Sequence, residues 1–153
     1  MSEKTNIIDE LKNIHDGDAW HGPSLSEILE LVKPEQAVAR PLANAHSIWE
    51  LVHHITAWEN VFRRRLEGEQ ITEPERGDFP PVKEVSEEAW RQSLTELNTE
   101  HKRLLEVVAQ LPDPALEKTV VVNEYSVRFL LHGIIRHQVY HAGQIALLRK
   151  NFL

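Results

Sequence analysis

Serines at positions 24, 47, 86 and 126 each stand immediately before a run of apolar residues spaced three and four apart, and that combination commits the chain to helices. Two of the starts are capping boxes, Ser24-x-x-Glu27 and Ser47-x-x-Glu50. In such a box the serine and the glutamate satisfy free backbone amides of the first turn. The run Leu25, Ile28, Leu29, Val32 stops at Lys33-Pro34. Ile48, Leu51, Val52, Ile55, Trp58 and Phe62 form the stripe of a helix over 47–66, with Gly68 just beyond. Behind Ser86, Glu87 and Glu88 suit the helix dipole, and the period runs from Trp90 to Leu111 before Pro112 and Pro114. A last helix is expected over 126–150, carrying Val127, Leu130, Ile134, Ile145 and Leu148. Ile7, Leu11 and Ile14 mark a short first helix, broken by Gly17, Gly22 and Pro23. Residues 68–85, with Pro74, Gly77, Pro80 and Pro81, read as a long crossover. Thr119–Val122 is β-like but too short for a sheet. The expected fold is all-α: one domain over 1–153, a four-helix bundle with a long crossover connection and short extra N-terminal helical segments.

Composition removes several function classes. The chain has 24 Asp+Glu against 17 Lys+Arg, a formal charge of −7 with no basic run, which disfavours nucleic acid as a partner. With no Cys, disulfides, thiolate ligands and cysteine nucleophiles are excluded. There is no apolar run of 18 residues for a membrane span and no signal-peptide core, so a cytoplasmic location is the default. Nine His in a Cys-free chain make imidazole the main candidate for any transition-metal ligand.

His137 and His141 are spaced i, i+4, which sets both imidazoles on one helix face, in line with Leu130, Ile134 and Leu148. A third ligand is available at residues 53–54. His54 lines up with Leu51, Trp58 and Val61 and is expected to face inward; His53 shares the more polar edge of Trp49, Asn60 and Arg64. Three imidazoles from two helices leave coordination positions open, as in catalytic sites, whereas closed structural sites use four protein ligands. Competing chemistries lack their residues. The sequence His137-Gln138-Val139-Tyr140-His141 has Gln where a zincin has its general-base Glu, and only Glu50-x-x-His53 matches a di-iron motif that must occur twice. His101 lies on its helix stripe and reads first as a satisfied core histidine, with a role as fourth ligand or ligand partner the sharper alternative. His132 reads as surface or interface, and His15 and His46 carry no readable role. The four Trp read as core, although Trp20-His21-Gly22-Pro23 sits in a break where a pocket can open.

Three segments resemble the DinB/YfiT-like superfamily: Ser47-Ile48-Trp49-Glu50-Leu51-Val52-His53-His54-Ile55-Thr56-Ala57-Trp58-Glu59, the last-helix pattern His137-x-x-x-His141-x-Gly143-Gln144-Ile145, and the break from Ala19 to Leu25. The resemblance implies one divalent metal held by three His in a four-helix bundle. Carried over through Trp58, four residues beyond its ligand, it implies His54, His137 and His141. It also implies a homodimer and a transferase or isomerase dependent on a low-molecular-weight thiol.

The expected activity is therefore that of a divalent-metal-dependent enzyme acting on a small-molecule substrate, a thiol S-transferase first, with a metal-dependent hydrolase or a non-catalytic metal-binding bundle as alternatives. An all-nitrogen site suits Zn, Ni or Fe. Glu59 and Tyr140 are candidate acid–base groups, with a solvated helix face the favoured reading of Glu59. Gln144, one turn beyond His141, is a candidate hydrogen-bond donor behind the ligands. The metal is expected to face a pocket lined by Trp20, His21, Trp58 and Tyr140. Metal affinity is expected to fall as pH drops through about 6.5.

Overall fold

In the computed structural model, which describes residues 1–122 and 124–153, the four serines cap helices as their spacing requires. The α helices among the described residues are α1 (Glu3–Asp16), α2 (Leu25–Leu29), α3 (Pro34–Val38), α4 (Ile48–Leu66), α5 (Glu87–Gln110) and α6 (Val127–Arg149). Ser24, Ser47, Ser86 and Ser126 each accept from the amide three residues on, and the first two form complete capping boxes. The described residues contain no strand, only a single antiparallel bridge between Thr119 and Ser126.

The N-terminal third differs from the sequence reading. The Leu25–Val32 stripe yields only five helical residues, and Val32 is buried outside a helix. Pro34 does not simply end it. It occupies the first turn of α3, where its missing N–H costs nothing. The fourth long helix is instead α1, capped by Ser2, whose side chain accepts from the amide of Thr5.

The long helices pack as a ring: α4 lies against α5 and α6, and α1 lies against the same two. Two apolar clusters fill it. Trp49, Ile55, Trp90, Leu97 and Ile145 belong to one, and Ile7, Leu11, Leu104, Leu131 and Ile134 to the other. Beside these clusters each long helix also buries polar residues: His15 on α1, Glu59 on α4, Glu100 and His101 on α5, Gln138 and His141 on α6. Buried polar groups need partners, so these positions are where side-chain chemistry concentrates.

The crossover of residues 67–86 is fastened to α4. Arg65 donates to the carbonyls of Ile71 and Thr72. Gly77, at φ +94°, closes the Pro74 turn in a conformation that other residues rarely adopt, and it turns Asp78 and Phe79 back onto α4.

Candidate metal centre

Two helices supply the three imidazoles. On α4, the stripe that buries Leu51 and Ile55 also carries His54, which is 6% exposed, while His53 is only half-buried. On α6 the i, i+4 spacing stacks His137 below His141. The ligand atoms of His54, His137 and His141 lie within 4.8 Å of one another, a group that can hold a metal ion. The Nε2 atoms of His54 and His137 are 3.1 Å apart. Bonds of about 2.05 Å at a tetrahedral angle place two zinc-bound nitrogens about 3.3 Å apart.

Hydrogen bonds behind the rings set which nitrogen faces the centre. His54 Nδ1 donates to the Asp78 carbonyl at 2.7 Å, with the Asp78 carboxylate 3.2 Å away. His141 Nδ1 donates to Gln144 Oε1 at 2.7 Å. Each bond fixes the proton on Nδ1 and leaves the Nε2 lone pair for a metal, the usual device of metal-binding histidines. Gln144 thus stands behind His141 as an acceptor, where the sequence suggested a donor. Asp78 also accepts from Trp58 Nε1 at 2.7 Å, so one loop residue ties His54 to its neighbouring indole.

Aromatic rings enclose the cluster. Phe79 stacks on His54 with centroids 4.0 Å apart, and Phe62 stands edge-on to His137 at 5.6 Å. Tyr140, largely exposed, meets the His141 ring edge-on at 5.0 Å.

Burial holds all three histidines below their ordinary pKa. The His54 shift is opposed by its bonds to Asp78. His137 is pushed down to about 4, by burial first and then by the neighbouring His141 and His54. His141 is lowered by burial, against its bond to Gln144. The three rings are therefore neutral near pH 7, the form in which imidazole binds metal.

Other residues singled out by the sequence sit elsewhere. Trp20 is fully exposed, and His21 is exposed beside it in the break between α1 and α2. A side chain that packs on nothing lines no pocket, so only Trp58 and Tyr140 of the expected four reach the cluster. A groove of about 420 Å³ opens on the other side of α4, lined by His53, Thr56, Asn60, Thr99 and Arg103. Glu59 is not on a solvated face: it is 1% exposed and accepts from His101 Nδ1 at 3.1 Å. His101 is a core histidine outside the cluster, stacked on His15.

A family model described as the DinB superfamily matches residues 19–145, most of the chain. The chain belongs to the DinB superfamily. The match spans the crossover, all of α4 and α6 as far as Ile145, and so includes the three histidines. No curated protein and no solved structure matches the chain.

Asp78, Phe62 and Phe79 were not identified as site residues from sequence. Phe62 appears there as core, and its i, i+4 spacing from Trp58 is a readable sign that both rings share a face. Asp78 and Phe79 lie in the aperiodic crossover, where length is the one signal of function.

Two outcomes follow from this geometry. Gln144→Ala should weaken metal affinity about 10–100-fold while leaving the helical signal intact, as measured by competition with a chromophoric chelator. Lowered pKa values also move the acid limit. Protons should displace metal below pH 6.5 and toward the range set by His137, not at 6.5 itself. For stability the sign is the same. The unfolded chain binds protons at these histidines before the folded one does, so stability falls as pH drops from about 6.5 toward 4. A chelator titration repeated between pH 7.5 and 4.5 checks this; an affinity loss centred at 6.5 or above contradicts it.

Proposed function

We propose that the protein is a metal-dependent enzyme in a four-helix bundle, with His54, His137 and His141 as ligands to one zinc, nickel or iron ion, acting on a small molecule through a low-molecular-weight thiol. The observation that carries this reading is the donor set: three neutral imidazoles with no carboxylate in the group. Neutral ligands leave a divalent charge uncompensated and favour an anionic further ligand. When bound, the metal supplies Lewis-acid chemistry that keeps a coordinated thiol as thiolate near neutral pH.

The chain's own residues prepare that site. Asp78 and Gln144 fix the ring tautomers, and Phe62 and Phe79 exclude water from the ring faces. His137 is only half-buried, which gives a ligand an approach from its side. Tyr140, beside His141, is the acid–base candidate the geometry favours. Glu59, engaged with His101, is not. Hydrolysis is the weaker reading, because a metal-bound water is best served by a carboxylate base beside it. The Asp78 carboxylate is turned to the Nδ1 side of His54 and to the Trp58 indole. A cytoplasmic homodimer completes the reading.

The test is a metal analysis of the purified protein followed by transfer assays over a panel of thiols with electrophilic acceptors. Metal-dependent turnover with at least one thiol is expected. Metal binding with no thiol reactivity across the panel would move hydrolysis or a non-catalytic role ahead.

A further inference from the structure

Two copies of an acidic chain repel each other, and α6 is the one long helix with neither Asp nor Glu. The outer face of α6 is also not that of a solvated helix. Its exposed positions are Phe129, Arg136, Tyr140, Gly143 and Leu147, with Gly133 half-exposed among them. At 100° per residue all six fall within about 80° of arc, a stripe about 27 Å long. Phe129, Tyr140 and Leu147 are 59%, 64% and 64% exposed. Among the described residues, Arg136 has no ion-pair partner.

Positions along any one helix stripe alternate by four and three and so are symmetric about their middle, here 138; what distinguishes this stripe is that the residue types also pair about that point. Phe129 and Leu147 lie nine residues to either side, Gly133 and Gly143 five, Arg136 and Tyr140 two. A twofold axis requires this of one surface packed on itself: residue i meets j, and j meets i. Laid antiparallel about residue 138, two α6 helices set Phe129 on the other copy's Leu147. Each Gly133 faces a Gly143, where the absence of side chains admits close backbone approach. Each Arg136 guanidinium comes over a Tyr140 ring, a cation–π pairing.

We infer that α6 is the homodimer interface, packed antiparallel on α6 of a second copy with the twofold axis crossing the exposed stripe at the level of residue 138, whose own side chain faces the core. The inference builds on the homodimer in the proposed function and names its surface and register. Tyr140 also touches His141. Association therefore brings a guanidinium from the second copy beside the metal centre of the first, so that dimerisation and the site are coupled.

The absence of Cys makes the test direct. A Cβ at Gly133 or Gly143 meets nothing within 4 Å, so Gly133→Cys and Gly143→Cys are accommodated in the helix. In the inferred register, equivalent residues 133 lie about 15 Å apart along the axis. A disulfide spans about 4.4–6.8 Å between Cα atoms. Under mild oxidation, the two single-Cys proteins should therefore cross-link when mixed and resist cross-linking when kept separate. Light scattering of the metal-loaded protein should give a dimer, and Leu147→Glu should give a monomer with unchanged metal content. A dimer without the mixed disulfide, or one unaffected by Leu147→Glu, overturns this interface and leaves dimerisation standing. A monomer at tens of micromolar overturns both.

Discussion

Replacing His141 with Ala is expected to remove metal binding and thiol-dependent turnover together, while the far-ultraviolet helical signal is unchanged. His141 turns its Nε2 to the cluster and anchors its Nδ1 on Gln144, so the substitution deletes one of the three clustered imidazoles and frees its support. The loss should exceed the 10–100-fold expected for an outer partner such as Gln144. Two imidazoles, from His54 and His137, cannot hold a divalent ion against solvent with comparable affinity. Fold stability should survive, because the two apolar clusters do not depend on this ring. Full activity in a metal-free His141→Ala protein would refute the metal-enzyme reading.

The second large effect belongs to the core and leaves the metal site alone. Glu59 accepts from His101; His101 stacks on His15 at 3.8 Å with the rings 4° from parallel; and His15 bonds Asn98 at 2.9 Å and Gln138 at 3.2 Å. These five side chains come from all four long helices. Burial, and next the adjacent His101, lower the His15 pKa, so the stack is not doubly charged. Glu59→Ala leaves the His101 N–H without its acceptor inside the bundle, and the cost should be about 3 kcal/mol. For a chain of this size that lowers Tm by roughly 6–12 °C in a calorimetric scan. Glu59→Gln, which keeps an oxygen facing His101, should lose less than half as much. Metal affinity should change little in either variant. If Glu59→Ala kept its Tm but lost turnover, Glu59 would be a catalytic group after all.

Features that depend on nearby residues in the chain were legible in the sequence. Four N-caps follow from a serine and the three residues after it, and the burial of His54 but not His53 follows from a helical period that Leu51 and Ile55 already define. The pairing of α4 with α6 at the cluster was legible because His spacing carries chemistry as well as burial. Features that depend on distant residues were not. Glu59 looks solvated in its own helix, and its burial is set by His101, 42 positions away. Asp78 acts on His54 mainly through a backbone carbonyl, which any residue possesses, so its identity announces nothing. The lengths of α1 and α2 differ from the sequence reading for a similar reason. Their apolar stripes are alike in sequence, and it is α1 that packs against both α5 and α6.

Zinc-edge X-ray absorption on the zinc-loaded protein, before and after addition of a thiol, tests the central claim most directly. Three nitrogens at about 2.0–2.1 Å and a light solvent atom are expected first, with a sulfur at about 2.3 Å replacing the solvent atom once a reactive thiol is present. A closed shell of four protein ligands, unchanged by any thiol, would contradict an open three-histidine centre.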